Sequence, residues 1–177
     1  MTTIELIDRY GIKDGATMGK PGALFISRQQ QVKRDNLLGE IKSRKPEILA
    51  HFAAKREGAK QAAQAREAKI KSIEGLDIIQ SAIADITAWR TEFSASFDDV
   101  GGLGVRPSPN YDIKSMLERY PHAAAYLRAK EYADKSNYEL SGIGKNALDR
   151  VIDGDWEAAM VQMDKDLEAY TDRHLWD

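Results

Sequence analysis

LDIIQSAIADITAWRTEFSASF, residues 76–97, is the stretch whose reading decides the fold class. Leu76, Ile79, Ile83, Ile86, Phe93 and Phe97 follow alternating steps of three and four, with Arg90 in the one polar position of the seam. That is nearly three heptads of a coiled-coil pattern, and it predicts a helix with one apolar stripe to cover. The cover is either the C-terminal helices of the same chain or a second copy. Leu76, Ile79, Ile83, Ile86 and Phe93 therefore form the candidate self-association seam, and a homodimer is one expectation.

Upstream, residues 53–71 are dominated by Ala, Lys, Glu, Gln and Arg, all strong helix formers. Gly58 and Gly75 are expected to kink or divide this arm. Pro46 fits the first turn of a new helix, because its missing N–H costs nothing there. Helices are thus expected over about 28–43, with Ser27 as a cap, and from 46 onward. Nearer the start, Leu6, Ile7 and Tyr10 have helical spacing, with Thr2 or Thr3 as cap and Gly11 as terminator. Three glycines and a proline between Lys13 and Ser27 mark turns around one or two short strands, the second ending near Leu24-Phe25-Ile26.

Downstream, Gly101, Gly102, Gly104 and Arg106 precede Pro107 and Pro109. A phosphate-binding loop needs a strand before it and a helix directly after it, so that N–H groups converge on the anion. A helix precedes this stretch and prolines follow it, so it reads as a hinge. Asp112 then caps IKSMLERY, and Pro121 opens PHAAAYLRAKEYA. Ser136 and Glu139 have the spacing of a capping box. Asp153-Gly154-Asp155 separates that helix from a last one carrying Trp156, Met160, Met163, Leu167, Tyr170 and His174. These stripes describe a helical bundle.

Gly11-Ile12, Gly22-Ala23-Leu24 and Lys45-Pro46-Glu47-Ile48-Leu49, following a leading helix, resemble the N-terminal docking domain of tubulysin-type peptide synthetases. The resemblance covers roughly residues 3–54. It implies a compact αββαα module that binds a partner chain through its strand edge and adjacent helix. No synthetase-like sequence follows the module, so a small adaptor head is expected rather than synthetase docking. Val100 to Pro107, Tyr120 to Tyr126, Asp155 to Met160 and Leu175-Trp176-Asp177 resemble uncharacterised proteins of phages and conjugative elements from gut anaerobes. That second resemblance implies a mobile-element setting.

The residues argue against most chemistries. Cysteine is absent, which excludes disulfides and thiolate sites, and no run is apolar enough for a membrane span. His51, His122 and His174 are scattered, and the acids around Asp153 fail the EF-hand spacing. No nucleophile elbow is present. Charge is the remaining signal: residues 1–74 hold 15 Lys/Arg against 9 Asp/Glu, and residues 75–177 hold 11 against 19. Arg44, Lys45, Lys55, Arg56, Lys60, Arg66, Lys69 and Lys71 form a candidate basic contact face, able to track a phosphate backbone by charge alone. Asp153, Asp155, Glu157, Asp164, Asp166 and Glu168 form a candidate acidic contact face.

The expectation is therefore a mainly α, cytoplasmic protein with no catalytic residues, metal or cofactor. Its parts are the αββαα module (1–54), a long coiled-coil-like helical arm (55–99), the Gly/Pro hinge (100–111) and a C-terminal helical domain (112–177). It is expected to be a non-enzymatic accessory protein of a mobile element, acting by protein–protein binding. An anti-CRISPR-type inhibitor that occludes a Cas nuclease or its ribonucleoprotein is the concrete version. The alternative is a DNA- or RNA-binding replication or regulatory accessory that uses residues 28–71.

Overall fold

The protein is mainly α: among the described residues a computed structural model shows nine α-helices and one two-stranded sheet. It describes residues 1–100 and 107–174, with side chains to 94 in the first stretch. The expected hinge residues Gly101, Gly102, Gly104 and Arg106 lie outside the described residues. The chain divides into two compact units, Met1–Gln64 and Ala65–Asp177.

In the first unit α1 (Thr3–Tyr10) starts on a complete capping box. Thr2 accepts from the Glu5 N–H while the Glu5 carboxylate accepts from the Thr2 N–H, which satisfies two otherwise orphaned donors. That backbone bond is the leading cause of a Glu5 carboxyl held below the usual range. Gly11, left-handed at φ 59°, ends the helix and leads into β1 (Ile12–Asp14). A short 3-10 turn (Gly15–Met18) and a loop return the chain as β2 (Leu24–Ile26), antiparallel with Ile12 opposite Ile26 and Asp14 opposite Leu24. Then come α2 (Gln29–Arg34), α3 (Leu38–Ser43) and the start of α4 (Lys45–Lys71).

The one helix expected over 28–43 is thus two. Asn36 at φ 53° breaks it, a backbone state that asparagine tolerates better than most residues. Ser27 is not the cap of α2, because Arg28 occupies that position without a capping bond. Leu6, Ile7, Tyr10, Ile12, Val32, Ile41 and Ile48 form the core, with Leu24, Ile26, Leu37 and Phe52 packed against it. Thr3 donates to the Glu47 carboxylate, tying α1 to the first turn of α4.

Gly58 does not divide α4, since the helix runs through it unbroken. Gly75 does divide the arm. At φ 74° it takes a conformation that side chains disfavour, and an added Cβ would sit 2.3 Å from the Tyr120 ring. Beyond it α5 spans Leu76–Val100. The second unit continues with α6 (Ile113–Arg119), α7 (Pro121–Ala133), α8 (Tyr138–Ile152) and α9 (Trp156–His174). Asp112 caps α6 and Pro121 stands in the first turn of α7. The cap of α8 is Asn137, whose Oδ1 accepts from the Leu140 N–H at 3.0 Å, and not Ser136. Asparagine one residue later reaches the same orphan donors, so the box spacing mislocated the start by one.

Helices α7 and α8 approach closely because small residues line their contact. Ala123, Ala125, Ala129 and Ala147 are buried, and Ser141 donates to the Ala133 carbonyl at 2.8 Å. A Cβ on Gly144 would lie 2.1 Å from the Ala133 nitrogen. Val151, Ile152 and Met163 complete this core together with Ile73, Leu76 and Ile79.

Candidate functional site

The described hairpin has only two strands, so each has an outer edge. Ser27 N–H donates to the Gly11 carbonyl and Gly15 N–H to the Ala23 carbonyl, which sets the alternation of the ladder. Leu24 and Ile26 then direct their backbone N–H and C=O groups away from β1. Beside this outer edge of β2 lies a groove lined by Ile26, Ser27, Arg28, Gln30, Gln31 and Arg34, among others, at the junction with α2. Its lining offers amide and guanidinium donors around an apolar end at Ile26. The Arg28 guanidinium is held by the Arg9 carbonyl at 2.8 Å, whereas the Arg34 side chain is three-quarters exposed. Sequence patterning located β2 but not the groove, because α2 and the hairpin are brought together only by the core beneath them.

That core contains a polar pair. The buried Tyr10 hydroxyl donates to Asp35 Oδ2 at 2.9 Å. Burial, then this bond, pushes the Tyr10 phenol above its ordinary value, and the same bond together with Arg34 holds Asp35 below the usual carboxylate range. Asp14 is a buried acid, whereas Asp35 is half-buried. Its Oδ1 accepts from the Ala16 N–H at 3.0 Å, while Oδ2 makes no hydrogen bond and is offset by an ion pair with Arg56. Neither pair was legible in the sequence, because Asp35 and Arg56 sit 25 and 42 positions from their partners.

The two charged faces expected from the sequence are largely paired. Of the basic set, Arg44 meets Glu40, Arg56 meets Asp14, and Lys71 meets Glu67 one turn away. Within the second unit Arg66 meets Asp149 at 2.7 Å and Lys69 meets Asp153 at 2.8 Å, so residues of the basic face neutralise residues of the acidic region. Lys69 is the leading cause of an Asp153 carboxyl held below its usual range. Asp155 is engaged by Arg150 and Asp164 by Arg128, while Asp166 accepts from Gln162. Lys45, Lys55 and Lys60 have no ion pair among the described residues, nor have Glu157 and Glu168.

The expected self-association seam is divided. Leu76 and Ile79 are buried in the core of their own unit. Farther along α5, Ile83 is 40% and Phe93 39% exposed, with Ile86 half-buried. Trp89 stacks on Phe93 with ring centroids 5.1 Å apart.

The histidines serve packing. His122 bonds the Val151 carbonyl at 2.8 Å and stacks on Trp156, and His174 stacks on Tyr170. No cluster of His, Asp and Glu among the described residues could hold a metal, and no described helix is long and apolar enough to cross a membrane. The displaced acids Glu5 and Asp112 are helix caps, and Glu67 is displaced by its partner Lys71. No family model, curated protein or solved structure matches the chain.

Proposed function

We propose that the protein is a non-enzymatic accessory factor of a phage or conjugative element, acting by protein contact made through the outer edge of β2. The observation that carries this reading is the outward-facing backbone of Leu24 and Ile26 beside the groove at α2. An open edge of this kind accepts an extended partner segment as an added strand: main-chain bonds supply affinity and the neighbouring side chains supply selectivity. The same mode is implied by the resemblance of residues 3–54 to docking domains. Among the described residues each displaced titrating group is accounted for by a cap, an ion pair or the Tyr10–Asp35 bond.

A photo-crosslinking amino acid at Gln30, in the groove, tests this against one at Tyr138, which is 91% exposed in the other unit. The expected result is a discrete crosslinked partner from position 30 and none from position 138. Equal capture at both positions would overturn the reading. Cas nucleases and their ribonucleoproteins are the concrete candidates, and a cleavage assay at saturating protein decides that version by inhibition or its lack.

The second reading, a nucleic-acid accessory, is favoured by Lys45, Lys55 and Lys60, which have no ion pair among the described residues. Residues 1–64 hold 12 Lys/Arg against 7 Asp/Glu, which adds a positive field. It requires binding to duplex DNA or to RNA that weakens steeply with salt and again when Lys55 and Lys60 are changed to Ala. Binding unchanged by either treatment removes it.

A further inference from the structure

On the β1 side of the same unit lies a second concavity, separate in its lining from the β2 groove. Ile12, Phe52 and Ala59 give it an apolar surface, and Lys13 and Lys55 stand at its margin with exposed side chains. Its volume, about 390 Å³, is within the range that holds a small ligand or a large side chain. The only carboxylate in the lining, Asp14, is committed to Arg56 and to capping Ala16. Neither Lys13 nor Lys55 has an ion pair among the described residues, and both line this largely apolar recess.

We propose that this groove docks a segment of a partner protein that carries one bulky apolar side chain flanked by carboxylates. The apolar lining gains only from a group that excludes water. The two lysines gain only from anions placed beside that group, since no acid of the unit serves them. A nucleic acid would satisfy the lysines but bring phosphate and sugar to the apolar surface, leaving it wet. An apolar segment without acids would leave two cations at the margin of a drying contact, which is unfavourable. Both demands are met together by an acidic peptide with a single anchor residue. This site does not depend on the β2 edge, and the two can be told apart.

The test uses the full chain and a fluorescein-labelled peptide with a central Phe flanked by Asp and Glu on both sides. Two control peptides replace the Phe by Ser, or the acids by Lys. The expected result is saturable binding of the first peptide only. It is weakened about tenfold or more by Ala59→Asp and by the double change Lys13→Glu, Lys55→Glu. Arg34→Glu, in the β2 groove, leaves it unchanged. Ala59, Lys13 and Lys55 are all exposed, so these variants keep the core intact. No saturable binding overturns the proposal, as does equal binding of the Ser peptide, which would mean charge alone. Loss with Arg34→Glu in place of Ala59→Asp assigns the peptide to the β2 edge and overturns it too. Competition by duplex DNA with the same mutational sensitivity would assign the site to nucleic acid. Self-association abolished by Ala59→Asp would assign it to a second copy.

Discussion

The two units solve opposite problems with similar helices. The first, residues 1–64, builds a core of seven buried apolar side chains around a hairpin of two three-residue strands and leaves backbone edges and lysines exposed. The second, residues 65–177, packs helices over small residues and pairs Arg66, Lys69, Arg128 and Arg150 with acids from other positions in the unit. Exposed pairs of that kind contribute little stability each, but they leave few charges with unmet demand. The difference teaches where recognition is to be sought. In the second unit Asp149, Asp153, Asp155 and Asp164 are answered internally, whereas in the first the unpaired Lys13 and Lys55 line a groove.

The comparison can be broken most forcefully in the second unit. Gly144→Val places side-chain atoms where the Ala133 backbone already stands, so α7 and α8 must separate. We expect a loss of about 3 kcal/mol or more, at the upper end for overpacking. Trp89, Trp156 and Trp176 all belong to residues 65–177, so tryptophan emission during urea unfolding reports this unit. Hydrogen exchange in peptides from residues 1–50 should be unchanged. If both units lose protection together, the division into independent bodies is wrong.

A smaller effect is expected in the first unit from Arg56→Ala. It leaves the Asp14 carboxylate, only 6% exposed, with one oxygen lacking any compensating partner. The expected cost is about 1–3 kcal/mol. Faster exchange of hairpin amides with unaltered tryptophan unfolding would show it. Unchanged exchange would mean that water serves Asp14 equally well.

The smallest effect sharpens the contrast by pH. Asp35 is held below its ordinary 3.8, chiefly by the Tyr10 hydroxyl, so its folded form binds a proton less readily than its unfolded form. That contribution is fully present above the ordinary carboxylate range and is lost as pH falls below 3.8 through the depressed value. Tyr10→Phe should therefore flatten the acid limb of first-unit stability, measured by exchange between pH 5 and 2. An acid limb identical to that of the parent protein would remove the Tyr10–Asp35 bond as its cause.

Local signals were legible in proportion to how local their causes are. Thr2, Asp112 and Pro121 mark helix starts because a cap bonds its own first turn, and Gly75 marks a break because its φ is unsuited to side chains. Asn36 was missed since asparagine reaches the left-handed region without the signature that glycine provides. The heptad over 76–97 correctly announced a helix, yet it did not say which part of its stripe would be covered by the same unit.

By itself, the sequence determined that this protein is mainly helical, where most helices begin and end, and that it lacks cysteine. Those features depend on hydrogen bonds and side-chain spacing within about four residues. Only the tertiary structure decided that Leu76 and Ile79 are buried while Ile83 stays exposed, that Lys69 answers Asp153, and that Asp14 lies beneath Arg56. Those outcomes depend on partners dozens of residues away, and no local period encodes which face or charge a distant helix will meet.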